Sequence, residues 1–240
     1  PQRSAMPDRM KDCATLIQSF EWLDRQLNTL QQSLDMVDQT PVSVVLTGQL
    51  PEQYMSNGDR SGGYYVGGQR QIYAQFLDVL AHEYTHHLAW LRGEIITQSG
   101  NSWCGEVLAC YYGDVCRAYE YRLNYCTYAD PGLLEQMEAL LGESYDNPTA
   151  FIKYMRLLYR QLKDVNYIQL LQGAYDMRPF FGEYFVRTYG EDCFQSCMIS
   201  PKQTQALTGK TLDEIVTDWV TDMKDPTKDR LVYYDVPFVF

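Results

Sequence analysis

The 240-residue sequence predicts an α+β fold in which a small mixed β-sheet lobe precedes a predominantly helical lobe. Short β-branched and aromatic runs separated by glycine-rich turns lie before residue 75 and are typical of strands. From residue 103 onward, apolar residues recur three or four positions apart, which is typical of helices. No linker or repeat divides the chain. We therefore expect one domain over 1–240, with an N-terminal lobe over 1–98 and a helical C-terminal lobe over 99–240.

The first lobe is expected to contain one long helix and three strands. Apolar side chains recur at helical spacing over residues 9–38 and predict an amphipathic helix. Residues 42–46 read V-S-V-V-L and predict a buried strand. Residues 64–66 and 71–74 are strand-like and flank the pair Gly67-Gly68, which predicts a hairpin or an edge strand with a bulge.

The remaining elements are expected to be helical. Residues 75–91 predict a helix that ends before Gly93, because glycine is favoured just beyond a helix C-terminus. Pro179 should open or kink the helix that contains it. Further helices are expected near residues 103–126, 131–141, 148–173, 179–190 and 211–223.

Composition excludes some classes of partner. The net charge of −11 disfavours binding to nucleic acid or to an anionic membrane, since both require clustered cations. No apolar run approaches the roughly 20 residues that span a bilayer. The chain begins at Pro1 without an initiator methionine, which favours a processed, secreted or cell-surface protein and leaves a cytoplasmic location open. The seven cysteines are expected to be buried free thiols, with disulfides as the alternative, and oligomeric state is not indicated.

All three histidines of the chain lie within residues 82–87, which read H-E-Y-T-H-H. Side chains four apart share one face of a helix, so His82 and His86 can bind the same metal ion. Glu83 lies beside that face and can reach a water molecule at the metal. His87 points about 100° away, which favours a packing or hydrogen-bonding role. The spacing H-E-x-x-H predicts one catalytic Zn²⁺ ion.

A catalytic zinc site needs a third protein ligand. No further histidine exists, so a carboxylate or a thiolate must supply it. Glu106, twenty residues after His86, is the best candidate because a carboxylate on an otherwise apolar helical stretch is costly unless a cation pairs with it. Asp114 is the rival, although a role in orienting a ligating histidine suits it better. Asp78 precedes His82 by one turn and is expected to be a solvated acid at the helix start, with orientation of His82 as the alternative.

The combination of His82-Glu83-x-x-His86 with Glu106 resembles the gluzincin metallopeptidases of the thermolysin-like type. The local sequence is closer still to their bacterial MA-type branch, in which the glutamate helix reads W-x-x-E-G-x-A-x-Y. The chain departs from that pattern at Val107, where the glycine would stand. The resemblance covers about residues 75–220 and is weaker beyond the zinc motif. The other matching residues are Trp103, Ala109, Tyr111, Tyr175, Tyr184, Phe185, Tyr189, Gly190, Gly209, Leu212, Glu214 and Trp219.

The resemblance implies a zincin-like metallopeptidase fold with the zinc cleft between the two lobes. It implies hydrolysis of a peptide or protein substrate, with Glu83 as general base and Tyr175 as the hydroxyl that stabilises the oxyanion. Substrate would pair with an edge strand within residues 64–74. The G-x-M-E-N motif of related aminopeptidases is missing, so an endopeptidase is preferred.

Two alternatives to a zinc peptidase remain open from the sequence. The first is a catalytically silent scaffold that keeps the fold and binds a protein partner. Glu83 argues against it, whereas Cys110 stands where thermolysin-like sites carry a supporting acid. The second is a structural zinc site, which requires a fourth protein ligand that Cys104 or Cys110 could supply.

Overall fold

The computed structural model describes residues 21–51 (apart from 22, 25, 26, 29, 33, 37–39 and 49), 62–75, 79–93, 103–113, 166–173, 178–225 and 227. Within these ranges the protein combines a three-stranded sheet with a larger number of helices, so the α+β class is confirmed. None of the described helices is long and apolar enough to cross a membrane. The predicted helix over 131–141 lies outside the described residues.

The sheet contains strands β1 (Ser43–Leu46), β2 (Gly63–Val66) and β3 (Gln71–Ala74) in the order β1-β3-β2. β2 and β3 are antiparallel and form the predicted hairpin, joined by a 3-10 turn at Gly67–Gln69. Alternate side chains of the hairpin are buried or half-exposed, as expected for a sheet with one covered face.

A strand is present at Ser43–Leu46, but the prediction that the strand over residues 42–46 is buried is wrong. β1 pairs only with β3, in parallel, and therefore occupies an edge of the described sheet. Ser43 and Val44 are exposed, Val44 to 43%, and the next two residues are half-buried. The continuous apolar run reflects strand propensity rather than burial on both faces, because an outer strand needs only one covered face.

Helix α1 includes the described residues between 21 and 32 and ends earlier than residue 38, where the sequence placed its end. Asp35 adopts the left-handed conformation with φ 47°. Met36 N donates to the carbonyl of Gln31 at 2.7 Å, which is the bond that closes a Schellman motif. Acidic residues tolerate this conformation, so the helix stops without a glycine. The predicted beginning of α1 lies outside the described residues.

Helix α2 (Leu80–Leu91) carries the histidine motif. The predicted start at residue 75 is wrong: Gln75 is a bend that follows β3, and Val79 precedes the first helical residue. No side chain caps this N-terminus, so the sequence offered no signal for it. Gly93 follows the helix with φ +90°, which confirms its predicted role at the C-terminus.

The next described helices are α3 (residues 103–113), α4 (Tyr167–Gly173) and α5 (Arg178–Tyr189). The helix predicted over 148–173 is not continuous, because Asn166 is not helical, and residues 148–165 lie outside the described part of the chain. The side-chain Oδ1 of Asn166 accepts a hydrogen bond from Gln169 N at 3.0 Å and so caps α4. Pro179 lies in the first turn of α5, as predicted.

Two helices between residues 191 and 208 were not predicted: α6 (Glu191–Ile199) and α7 (Thr204–Thr208). Both helices are short, with nine and five residues, so any apolar periodicity spans too few turns to predict a helix. The last described helix, α8 (Leu212–Lys224), agrees with the prediction over 211–223 and begins with a capping box between Thr211 and Glu214.

The core joins the sheet and α2 to the helical half. Its four largest fully buried side chains come from α5, α6 and α8 and are Trp219, Phe181, Phe185 and Phe194. Edge-to-face contacts connect the Phe181 ring to the rings of Trp219 and Phe185. Among the described cysteines, Cys104, Cys110, Cys193 and Cys197 are free thiols.

Candidate metal centre

The structure brings together three of the residues singled out by the sequence. His82 Nε2 lies 3.4 Å from Glu106 Oε2, and His86 Nε2 lies 3.5 Å from Glu106 Oε1. One potential ligand atom from each residue falls within 4.8 Å of the others. Two imidazole nitrogens and one carboxylate oxygen form a donor set that suits zinc and leaves a further coordination position open. These residues therefore fit a single metal ion.

The two histidines are presented by one turn of α2. Their ring centroids are 5.0 Å apart, as expected for side chains at positions i and i+4 on the same helix face. The opposite side of the helix carries Leu80, Ala81 and Leu88, which are buried in the core. Burial of that apolar side fixes the rotation of α2 about its axis, and so directs both imidazoles towards α3.

Gly113 allows α3 to approach α2 closely enough for Glu106 to meet the histidines. A Cβ atom at Gly113 would lie 2.5 Å from His82 Cα and 2.7 Å from His82 N, well inside van der Waals contact. Both contacts are with main-chain atoms, which cannot move aside as a flexible side chain would. A residue without a side chain is therefore required where the two helices cross.

Replacing Gly113 with alanine should lower the free energy of unfolding by about 2 kcal/mol, or about 4–8 °C in Tm. Alanine normally stabilises a helix by about 1 kcal/mol relative to glycine. Here overpacking against the backbone of His82 outweighs that gain and should also weaken the binding of any metal by displacing a potential ligand. Thermal unfolding and chelator competition measure the two effects.

Gly68→Ala is the matched control, because nothing lies within 4 Å of its Cβ position. A Gly113→Ala variant as stable as the wild type would contradict this packing.

Glu106 is half-buried, with a side chain that is 30% exposed, and it interacts electrostatically with both histidines and with Arg178. Burial, the largest influence, favours the neutral acid, yet the imidazoles of His86 and His82 hold the pKa of Glu106 well below its ordinary value. Burial likewise acts to lower the pKa of His86, but the charge and hydrogen bond of Glu106 outweigh it and raise that pKa above 6.5. The carboxylate is thus ionised at neutral pH and available to a cation.

Glu83, the predicted general base, is only 7% exposed and lies against the start of the edge strand β2. A Cβ atom at Gly63 would come within 2.8 Å of Glu83 Cγ and Oε1. The absence of a side chain at Gly63 therefore leaves room for the carboxylate. This proximity places the predicted base at the junction of α2 and β2, an outer strand of the described sheet.

His87 does not join the metal cluster, and its expected packing and hydrogen-bonding role is confirmed. The ring is fully buried, and its Nδ1 lies 2.8 Å from the hydroxyl of Tyr65 on β2. The same ring contacts Tyr84 with a centroid distance of 5.5 Å. The hydrogen bond of His87 thereby connects β2 to α2, the helix that carries His82 and His86.

Arg178 is a site residue that the sequence analysis missed. Its NH1 lies 3.5 Å from Glu106 Oε2, and its side chain is only 7% exposed. The two residues are 72 positions apart, and no motif in the sequence connects them. Only the way α5 packs beside α3 brings the guanidinium to the carboxylate.

Several other candidates are not part of the described cluster. Tyr175, Asp114 and Asp78 lie outside the described residues, so their predicted roles stay predictions. Cys104 and Cys110 are buried in α3, and neither belongs to the group of potential ligands found among the described residues. The cluster there supplies three protein ligands, which is the number typical of a catalytic zinc site.

Comparisons with known proteins add no family to these observations. No protein-family model matches the chain, and no curated protein or solved structure gives a significant match. The function is therefore inferred from the residues themselves and from the geometry that brings them together.

Proposed function

We propose that this protein is a zinc-dependent peptidase with a zincin-like fold, of the gluzincin type, that acts as an endopeptidase on a peptide or protein substrate. The observation that carries the proposal is the meeting of Glu106 with His82 and His86, which places a carboxylate against the two histidines of an H-E-x-x-H turn. The mixed sheet followed by helices is compatible with that fold.

In this proposal His82, His86 and Glu106 hold one zinc ion. A bound zinc ion would supply Lewis-acid activation of the attacking water and of the scissile carbonyl. Glu83 accepts the proton of the attacking water and delivers it to the leaving amine. The small exposed fraction of Glu83 supports this role, because few bulk water molecules can compete with the attacking water for the carboxylate.

The edge strand β2 supplies a surface for the substrate backbone. Gln75 N donates to the carbonyl of Gly62 at 2.7 Å, so residues 62, 64 and 66 of the antiparallel ladder pair with β3. The backbone groups of Gly63 and Tyr65 consequently point away from β3. Among the described strands none pairs with that side of β2. An extended peptide can add there as a further strand.

The close contact between Gly63 and Glu83 brings this surface to the proposed base. A peptide bonded to the backbone of Gly63 would run beside the Glu83 carboxylate, where its scissile bond must lie. The proposed oxyanion donor, Tyr175, stands three residues before Arg178 in the sequence.

Removal of the metal should abolish peptide cleavage, and one equivalent of zinc should restore it. The experiment treats the full chain with a chelator, removes the chelator, and follows digestion of a peptide library by mass spectrometry at increasing zinc. Bound metal is measured in parallel by elemental analysis. Stoichiometric zinc without any cleavage would reject the peptidase and favour a silent scaffold or a structural site. Cleavage that is insensitive to chelation would reject the metal.

A further inference from the structure

Arg178 is a buried cation beside the metal ligands. Its side chain is 7% exposed, and removing a guanidinium from water costs several kcal/mol unless anions or hydrogen-bond acceptors compensate. The Glu106 carboxylate lies within 3.5 Å of its NH1 and provides opposite charge. A position this buried and this close to a proposed ligand calls for a role at the site.

The other nitrogens of Arg178 are held by the end of α4. Its Nε donates to the carbonyl of Leu171 at 3.4 Å, and its NH2 donates to the carbonyl of Gln172 at 3.3 Å. The last carbonyls of a helix lack partners within that helix, so a planar guanidinium can satisfy them. The Arg178 guanidinium is therefore held in one orientation, and its NH1 points towards Glu106.

Contacts on both sides determine how the Glu106 carboxylate is oriented. Oε2 faces both Arg178 and His82, whereas Oε1 faces His86. Without the guanidinium, the glutamate side chain would gain several rotamers that turn it away from the histidines. A ligand that is already oriented loses less conformational entropy when a metal binds.

We propose that Arg178 is a positioning residue of the metal site, which holds Glu106 in the orientation that faces His82 and His86 and thereby strengthens metal binding. The proposal rests on the metal site assigned above. Two effects of Arg178 oppose each other: its charge repels a divalent cation, and its hydrogen bonds orient the ligand. Partners that orient metal ligands contribute about 10- to 100-fold in affinity. We expect orientation to dominate, because the Glu106 carboxylate already compensates the charge of the guanidinium.

The test compares zinc dissociation constants of the full chain by competition with a fluorescent chelator. Arg178→Gln should weaken zinc binding by about 10- to 100-fold. Arg178→Lys keeps the charge but cannot bond both helix-end carbonyls and Glu106 together, so it should also bind zinc more weakly than the wild type. Circular dichroism at the assay temperature establishes that each variant is folded, and the lysine variant serves if the glutamine variant is not.

Arg187→Gln is the matched control. Arg187 also belongs to α5, and it pairs with Glu183 and Asp222 at 2.9 Å, with no contact to the metal ligands among these ion pairs. Its replacement should lower the melting temperature and change zinc affinity by less than about threefold, since it orients no ligand.

Each remaining outcome overturns the inference. Unchanged or tighter zinc binding by Arg178→Gln would show that the guanidinium only repels the ion or does nothing. An equal loss in Arg187→Gln would make the effect a general consequence of destabilisation. Wild-type affinity in Arg178→Lys would show that charge alone suffices. Failure of the wild-type chain to bind zinc would instead reject the proposed function together with this inference, so the two failures are distinguishable.

Discussion

Replacing Glu83 with glutamine should lower kcat/KM for peptide cleavage by about 100- to 10,000-fold and leave zinc bound. Glutamine has nearly the same volume, so the space beside Gly63 stays filled and α2 keeps its packing. An amide cannot accept the proton of the attacking water, however, and the leaving amine loses its proton donor. The loss should therefore fall on kcat, with little change in the melting temperature.

Steady-state kinetics on one peptide from the library, together with zinc analysis, measure this effect. Glu21→Gln is the control, because Glu21 is an exposed glutamate of α1 and its replacement changes the net charge by the same amount. Equal cleavage by wild type and Glu83→Gln would exclude Glu83 as general base and remove the main support for a gluzincin mechanism. Loss of zinc in this variant would instead indicate that Glu83 helps to hold the metal.

Replacing Glu106 with glutamine should weaken zinc binding by more than the roughly 100-fold expected for a residue that only orients a ligand. The variant loses the single carboxylate of the cluster and retains two imidazoles, one ligand short of a catalytic zinc site. It also leaves the buried guanidinium of Arg178 without this counter-charge, so the metal-free protein should be less stable. Chelator competition and thermal unfolding measure the two losses separately.

Asp222→Asn is the matched control for Glu106→Gln. Asp222 is a buried carboxylate that accepts a hydrogen bond from Arg187 at 2.9 Å, so its replacement also breaks a buried ion pair. We expect a similar loss of stability and unaltered zinc affinity. Wild-type zinc binding by Glu106→Gln would show that Glu106 is not the third ligand. Asp114 would then be the next candidate for that ligand.

Local spacing made the histidine pair predictable from the sequence. The positions of His82 and His86 on one helical turn follow from helix geometry and from their spacing of four residues. The hairpin formed by β2 and β3 could also be predicted from the sequence, because strand-like residues flank a glycine pair. The lack of another histidine left a carboxylate or a thiolate as third ligand, and Glu106 was selected because it lies on an otherwise apolar helical stretch.

Features that depend on packing between distant segments could not be predicted. The need for glycine at position 113 arises only from the crossing of α3 over the backbone of His82. Arg178 reaches Glu106 across 72 positions of sequence through the placement of α4 and α5. The exposure of β1 depends on its place at the sheet edge, and a run such as V-S-V-V-L is compatible with either a central or an outer strand.

The direct succession of β2, β3 and α2 has a mechanical consequence. The stretch 63–87 contains the strand proposed to bind substrate, the proposed base and both histidines. The hydrogen bond between Tyr65 and His87 links its two ends. Glu106, by contrast, arrives on a separate helix. A small sliding movement between residues 63–87 and α3 would increase the distance from the Glu106 carboxylate to the two imidazoles. The distance from Glu83 to a peptide on β2 would stay the same. Such a movement would therefore alter the group His82, His86 and Glu106 while the contact between Glu83 and β2 stayed the same.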